Sequence, residues 1–253
     1  MQMLDRRRGS GSIAHFWRSN GCIFSHPWQL KWKPVCGSTE LDLSRWLREK
    51  PLLSGCPRAI FSARQKYAFG QRGKPWQSPI GGVWVSAALP WQKSTSTPEL
   101  LGIAVALALS ERLERYGVNV RIKWPNDLIV AGQKLAGLLP CLVHRGDRVM
   151  LARIGIGLNV CNQVPFEGIA LSDLLKPSQC KPIFWSAEVL LALDRAIDLL
   201  GKPEKVCSEV AHRLWAKSLR DPKTGDLWKI DSLDIDGALV LRQGSRLKKL
   251  TRW

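Results

Sequence analysis

The chain has 253 residues, 45% of them apolar, and a formal net charge of +17 at pH 7. A sequence of this length and composition can bury a sizeable core, so it predicts one large soluble domain with a small appendage and excludes a string of small modules. No stretch reaches the roughly 18 uncharged apolar residues of a spanning helix, and we expect a cytoplasmic protein that contacts no membrane.

Residues 1–35 carry Trp, Pro and Gly at close spacing and are predicted to form an irregular N-terminal extension. Three arginines at positions 6–8 are followed by Gly-Ser-Gly-Ser rather than by an apolar segment, which disfavours a secretory signal. An organellar transit peptide and a frayed terminus both stay open, and the second is commoner. The segment is too short and unpatterned for a helix-turn-helix unit.

Regular structure is predicted to begin near Val35. The run Gly37-Ser38-Thr39-Glu40 is typical of a strand end that leads into a helix over Leu41–Glu49, with Ser38 or Thr39 as N-cap. The patterns that follow predict the strand Ala59–Ala63, the long loop Arg64–Gly82, the strand Val83–Leu89 and the helix Glu99–Tyr116.

The pattern of the second half of the chain predicts further strands, followed by two helices and a group of short strands. They are the strand Val120–Trp124, a hairpin of Leu128–Val130 with Lys134–Leu139, and the strand Arg148–Val160, whose glycines indicate a bulge or a nearby ligand. Helices are predicted over Trp185–Leu200 and Pro203–Trp215, and short strands over Leu227–Ile235, Ala238–Arg242 and Leu247–Trp253.

Cysteines and histidines give no sign of a protein-held metal. The seven cysteines are odd in number and contain no Cys-x-x-Cys pair, so they are predicted to be reduced thiols. The four histidines are scattered without an i, i+4 pair, which leaves a metal cluster or a histidine-based triad without support.

The loop Arg64–Gly82 mixes small residues with cations and is a candidate phosphate-binding segment. Glycine and alanine let backbone N–H groups approach phosphate oxygens, and the cations add charge. A basic surface loop rich in turn residues has a similar composition, so composition alone leaves both interpretations open.

Four motifs resemble those of the biotin protein ligase family, in the family's order. They are Arg72-Gly73-Lys74-Pro75-Trp76-Gln77-Ser78-Pro79, Lys123-Trp124-Pro125-Asn126-Asp127-Leu128, Lys134-Leu135-Ala136-Gly137-Leu138-Leu139 and Gly155-Ile156-Gly157-Leu158-Asn159-Val160. The resemblance is strong over residues 37–160 and weaker beyond them. Lys-Trp-Pro-Asn-Asp followed closely by Lys-Leu-Ala-Gly is its most specific part.

The resemblance implies an α+β fold: a mixed sheet flanked by helices, related to class II aminoacyl-tRNA synthetases and lipoate ligases, with a small C-terminal SH3-like β domain. It divides the chain into the extension 1–35, a catalytic domain 36–220 and the β domain 221–253. The implied activity uses ATP, with Mg²⁺ bound to it, to form biotinyl-5'-AMP. Biotin then passes to a lysine of the biotin carboxyl carrier protein of acetyl-CoA carboxylase. DNA binding is not expected without a helix-turn-helix, and a homodimer stays open.

The same resemblance implies roles for individual residues. Lys134 is the catalytic residue, a fixed cation between the biotin carboxylate and the α-phosphate. The implied biotin-binding residues are Ser38, Thr39, Gln65, Gly70, Gln71, Gly137, Leu139, Gly155 and Gly157. The implied ATP- and adenylate-binding residues are Arg72, Lys74, Trp76, Asn126, Asp127 and Asn159. Without this context a helix cap, a solvated hairpin lysine, a tight turn and a core tryptophan would explain several of them.

One loop departs from the family pattern. Where the family usually has Gly-Arg-Gly-Arg-x-Gly, this chain has Ala68-Phe69-Gly70-Gln71-Arg72-Gly73. Phe69 and Gln71 therefore replace two arginines that help to retain the adenylate. Our hypothesis is that Arg72, Lys74 and Arg64 supply this charge from shifted positions.

Two other functions compete with biotin ligation. A lipoate or octanoate ligase or transferase of the same architecture also uses a lysine, although the Lys-Trp-Pro-Asn-Asp motif argues against it. A non-catalytic nucleic-acid-binding protein is favoured only by the charge of +17, which an acidic carrier domain would explain as well.

Overall fold

A computed structural model describes residues 21, 23–52, 56–90, 97–145 and 148–251. Its larger sheet has seven strands: β1 (Gln29–Lys33), β2 (Arg58–Ser62), β3 (Val83–Leu89), β4 (Arg121–Lys123), β5 (Asp127–Val130), β6 (Gln133–Arg145) and β7 (Arg148–Leu158). Their order is β1-β2-β3-β7-β6-β5-β4, and only β1 and β2 pair in parallel. The predicted mixed sheet is confirmed.

Helices cover both faces of this sheet. Alternation along β2 points Ala59 and Phe61 into the main core and Ile60 to the opposite face. On the side of Ile60 lies α1 (Thr39–Glu49). The main core contains α2 (Pro98–Glu114), α3 (Pro182–Leu200) and α4 (Pro203–Arg213), so the sheet is enclosed between layers.

The apolar run 100–109 belongs to the buried helix α2. Every residue of the run is buried, with each side chain other than Gly102 at most 1% exposed. The Thr97 hydroxyl caps the helix by accepting from Leu100 N at 3.1 Å. Burial on all sides explains why the helix has no polar stripe. Within the described ranges, we find no helix with the length and apolar character needed to cross a membrane.

A second, antiparallel sheet lies at the C-terminal end. It contains β8 (Ser218–Arg220), β9 (Leu227–Leu233), β10 (Leu239–Gln243) and β11 (Arg246–Leu250), in the order β11-β10-β9-β8. Its turn at Asp236 and Gly237 packs on the N-terminus of α2: Trp124 Nε1 donates to Gly237 O at 2.8 Å, and Thr97 Oγ1 donates to Asp236 O at 2.5 Å. The predicted small C-terminal β unit is therefore confirmed as a sheet.

The N-terminal prediction is wrong for part of its range. Residues 29–33, predicted as irregular, form the edge strand β1, whose pairing with β2 lies outside local sequence patterns. The segment before it is held by buried Asp194, which accepts from Ser25 N at 2.8 Å and Trp28 Nε1 at 2.9 Å and contacts His26 Nδ1 at 3.0 Å. The predictions for residues 1–20, and for 252 and 253 of the last strand, lie outside the described residues.

Most other elements begin and end within a few residues of the predicted bounds, but β8 lies before residue 221, where the small domain was predicted to start. The division into three domains stays a prediction.

Candidate active site

A cavity of about 640 Å³ opens on the α1 side of the large sheet. Its walls come from the start of α1, the loop 64–82, the turn 123–127 and the paired strands β6 and β7. All of the predicted site residues except Asn159 line it. Its lining also includes residues to which the sequence analysis assigned no binding role: Glu40, Ala68, Phe69, Pro75, Val85, Ser86, Lys123, Trp124, Pro125, Leu138 and Ile156.

One end, which we call the inner end, consists of Ser38, Thr39, Glu40, Gln65 and Ser86. Gln65 Oε1 accepts from Thr39 N at 2.7 Å and from Thr39 Oγ1 at 3.0 Å, while Gln65 Nε2 donates to Ser78 Oγ at 3.0 Å. Thr39 Oγ1 and Ser86 Oγ are 2.8 Å apart. These bonds fix the orientation of the polar groups before any ligand is bound.

Ser38 occupies the N-cap position of α1, but its hydroxyl makes no capping hydrogen bond. Its backbone is extended, and the residue is only 3% exposed. The alternative explanation of Ser38 as a helix cap is therefore not realised by its side chain. Because the residue also lines the cavity, its hydroxyl is placed to hydrogen-bond a ligand.

Glycines form the floor of the cavity beneath Trp76. Gly137 on β6 lies opposite Gly157 on β7. A Cβ at Gly157 would lie 2.7 Å from Trp76 Nε1, and one at Gly137 would lie 3.0 Å from the same ring. Gly157 therefore leaves room for the indole that no other residue would leave, and a Cβ at Gly137 would make a tight contact with the ring.

Gly155 is the neighbouring glycine toward the inner end, where a Cβ would lie 3.4 Å from Leu139 and 3.8 Å from Ser86 Oγ. These are ordinary or slightly tight contacts, in contrast to those at Gly157. The floor therefore leads from the inner end, past Gly155, to the indole of Trp76.

Lys134 lies at the other side of Trp76, with Nζ 4.9 Å from the ring centroid and 2.7 Å from Asp127 Oδ1. Its backbone N donates to Glu167 O at 2.9 Å, and its carbonyl accepts from Ile169 N at 3.1 Å. The segment 167–169 thus holds one side of the strand and β5 pairs with the other, while the side chain of Lys134 stays one-third exposed toward the cavity. A cation on a fixed backbone can stabilise developing negative charge at low reorganisation cost.

We call the region around Lys134 the outer end; it also contains Arg72, Lys74, Lys123, Asn126 and Asp127. Asn126 Nδ2 donates to Leu138 O at 2.7 Å, and Leu138 N donates to Asn126 O at 2.8 Å, so the turn is bonded to β6. Pro125-Asn126-Asp127 is therefore both a turn and a part of the cavity wall, so the two explanations of this motif are compatible.

The loop that carries the cations is a small hairpin. Gly70 N donates to Lys74 O at 2.8 Å, Trp76 N donates to Ala68 O at 3.0 Å, and Arg72 has the unusual φ of +55°. Arg72 and Lys74 are exposed at the cavity rim. Arg64, the third cation of the hypothesis, does not line the cavity.

Asn159 is the predicted site residue that the structure places elsewhere. It is buried behind Lys134, where Nδ2 donates to Ile169 O at 3.2 Å and to Lys134 O at 3.3 Å, and Oδ1 accepts from Asn162 at 3.1 Å. Both ends of its amide are therefore engaged by other parts of the protein. A direct nucleotide contact stays a prediction that this geometry does not support, and the bonds describe a residue that holds the Lys134 strand.

The inner end contains an ion pair that sequence reasoning missed. Arg153 Nη2 lies 2.8 Å from Glu40 Oε1, and Arg153 Nη1 donates to Ser44 Oγ at 2.6 Å. Burial raises the pKa of the Glu40 carboxyl, opposed by Arg153 and, to a smaller extent, by the Ser86 side chain. The only sequence signal for Ser86 is a lone hydroxyl in the apolar strand 83–89.

The layered sheet has a cavity with buried hydrogen-bonding groups at one end and most of its cations at the other, and this fold and site can be compared with known proteins. Residues 56–159 match the profile of the Biotin/lipoate A/B protein ligase family. The chain is 33% identical over 203 residues to Biotin--protein ligase 2 of Arabidopsis thaliana, covering 75% of this chain and 59% of the relative. It is 30% identical to Biotin--[acetyl-CoA-carboxylase] ligase of Paracoccus denitrificans, covering 61% of this chain and 64% of that relative.

The fold agrees with a solved structure, the biotin protein ligase from Aquifex aeolicus in complex with biotin and ATP. The TM-score is 0.67 at 19% identity, with 90% of this chain and 97% of that chain covered. The chain thus contains a Biotin/lipoate A/B protein ligase family domain, in the fold of the biotin protein ligases. It spans about three-fifths of the length of the two curated relatives.

Proposed function

We propose that the chain is an ATP-dependent biotin protein ligase that forms biotinyl-5'-AMP and transfers biotin to a lysine of a biotin carboxyl carrier protein. The observation that carries the proposal is the order of groups along the cavity. Hydrogen-bonding residues at the inner end suit the neutral urea of biotin, and Lys134 and the cations of the outer end suit its carboxylate and a triphosphate.

In the first step a biotin carboxylate oxygen attacks the α-phosphorus of ATP. The bond from that phosphorus to the bridging oxygen breaks, and pyrophosphate leaves. Lys134 offsets the charge of the two anions as they meet, and its distance to Asp127 of 2.7 Å keeps its ammonium in place. Mg²⁺ enters as part of the substrate MgATP, with phosphate oxygens as its main ligands.

In the second step the amine of a carrier lysine attacks the acyl carbon of the mixed anhydride. An amide bond forms, AMP leaves, and the amine loses its proton. No side-chain nucleophile is needed, because the adenylate is already activated. The indole of Trp76, packed on Gly137 and Gly157, is placed to shield the adenylate from water until the carrier arrives.

The inner end disfavours lipoate and octanoate as substrates. Their distal tails offer no donor or acceptor like the urea of biotin, so the Ser38 hydroxyl, which makes no capping hydrogen bond, would be covered without gaining a ligand partner. ATP–pyrophosphate exchange with biotin, lipoate and octanoate tests this proposal. Exchange that is fastest with lipoate or octanoate would overturn it.

The net charge of the chain supports the proposed carrier partner. A net charge of +17 favours an acidic acceptor domain, because opposite fields raise association rates. We expect salt to slow transfer to purified carrier more than adenylation. Equal salt sensitivity of both steps would contradict this partner. Salt-sensitive DNA binding without biotin-dependent ATP turnover would instead support the nucleic-acid alternative.

A further inference from the structure

The mechanism above makes no use of the Glu40–Arg153 pair at the inner end. Glu40 is 9% exposed and lines the cavity, while Arg153 lies outside its lining. Glu40 Oε1 forms an ion pair with Arg153 Nη2 at 2.8 Å. Its other oxygen, Oε2, is buried and has no hydrogen-bond partner among the described residues. A buried carboxylate oxygen without a partner is costly unless a ligand satisfies it.

The distance between the Glu40–Arg153 pair and Lys134 suits an extended ligand. Arg153, Gly155 and Gly157 point to the same face of β7 because side chains alternate along a strand. Arg153 and Gly157 are four residues apart, or roughly 13 Å at about 3.3 Å per residue. Trp76 and then Lys134 lie next to Gly157. A ligand whose carboxylate reaches Lys134 therefore has its opposite end near Glu40.

Among the side chains of the inner end, only the Glu40 carboxylate and the hydroxyls can still accept a hydrogen bond from a ligand. Gln65 Oε1 already accepts two bonds from Thr39. The hydroxyls of Thr39 and Ser86 are 2.8 Å apart, and the Ser86 side chain also hydrogen-bonds the Glu40 carboxyl, so both hydroxyls already have partners. A cyclic urea presents two N–H donors, and a charged acceptor makes the stronger bond with such a donor.

We propose that Glu40 is a recognition residue for the urea ring of biotin, and that its Oε2 accepts a hydrogen bond from one ureido N–H. This inference rests on the proposed function. It assigns to Glu40 part of the selection for a cyclic urea over acids with apolar tails. Arg153 is a positioning residue that holds the carboxylate against the end of the cavity.

The first test is Glu40→Gln in biotin-dependent ATP–pyrophosphate exchange. Glutamine keeps an oxygen for Arg153 but turns an N–H donor toward the ureido N–H, so the KM for biotin should rise about 10- to 100-fold, as expected for loss of a charged hydrogen bond. The KM for ATP should stay within about two-fold. An unchanged KM for biotin would overturn the assignment.

A second test locates the contact with biotin methylated at one ureido nitrogen or the other. One of the two analogues should be penalised in the wild type, and that penalty should shrink to less than about three-fold in Glu40→Gln, because the two changes remove the same bond. Equal penalties in both enzymes for both analogues would contradict a contact with Glu40. Lack of any wild-type exchange with biotin would instead overturn the proposed function, and this inference with it.

Two further variants separate recognition from folding. Ser44→Ala removes the other partner of Arg153 without touching the cavity, so the KM for biotin should change less than about two-fold. The Glu40→Met, Arg153→Met double variant replaces the buried pair by apolar groups and should keep its thermal unfolding while losing biotin affinity as Glu40→Gln does. If Ser44→Ala lost as much biotin affinity as Glu40→Gln, the Glu40–Arg153 pair would only stabilise α1 and would not recognise biotin.

Discussion

The inner and outer ends of the cavity are built by different means. At the inner end, α1 and strand β3 hold buried groups such as Thr39 and Ser86 through hydrogen bonds between side chains. At the outer end, Arg72 and Lys74 are exposed on a hairpin loop. Rigid, desolvated groups discriminate between ligands, whereas exposed cations attract anions of many shapes. The difference indicates that selection of the acid occurs at the inner end and retention of phosphate at the outer end.

Lys134 lies where the two ends meet, and its removal should have the largest effect. We expect Lys134→Ala to lower the adenylation rate by about 10²- to 10³-fold, as for other groups that stabilise transition-state charge. Biotin-dependent labelling of a carrier domain measures the loss. Lys223→Ala, in the exposed turn of the small sheet, is the matched control. Wild-type labelling by Lys134→Ala would remove the central assignment.

Alanine variants of the glycine floor test whether adenylation, which needs both ends of the cavity, depends on the packing of Trp76 against β6 and β7. Methyl groups at Gly157, Gly137 and Gly155 would meet their neighbours at 2.7, 3.0 and 3.4 Å, so the alanine variants should lose activity in that order. Overpacking of ~1–3 kcal/mol at Gly157 corresponds to a loss of about 5- to 150-fold in kcat/KM for ATP. A different ranking, measured by single-turnover adenylation, would break the link to Trp76.

Exposed cations of the outer end should have smaller effects, confined to retention of the adenylate. We expect Arg72→Ala and Lys74→Ala each to speed release of biotinyl-5'-AMP about five-fold, or ~1 kcal/mol per exposed charge, with the KM for biotin unchanged. Lys66→Ala, on the same loop but outside the cavity lining, serves as the control. Rapid escape of the adenylate from the wild type would contradict the hypothesis that shifted cations replace the arginines at Phe69 and Gln71.

The sequence predicts the outer end better than the inner one. Lys134, Asp127 and Trp76 belong to short motifs that resemble those of the biotin protein ligase family, and it is this resemblance that implies a shared site. Glu40 and Arg153 come from a helix start and a distant strand, and no local pattern joins them. The edge strand β1 was missed for the same reason, because its partner β2 follows an intervening helix. Asn159 shows the converse: its motif is local, but its side chain turns away from the cavity.

The smallest expected effect concerns the contact between the outer end and the C-terminal sheet. Trp124 lines the cavity, and its ring N–H donates to Gly237 O at 2.8 Å, whereas the equally buried Nε1 of Trp228 has no hydrogen-bond partner among the described residues. Both Trp→Phe changes remove similar ring area, so their difference isolates the hydrogen bond. Trp124→Phe should lower the free energy of unfolding in urea by about 1 kcal/mol more than Trp228→Phe. Equal losses would show that the hydrogen bond is dispensable and that the turn at Gly237 is held by packing against Leu100. The backbones are close there, because a Cβ at Gly237 would lie 2.8 Å from Leu100 N.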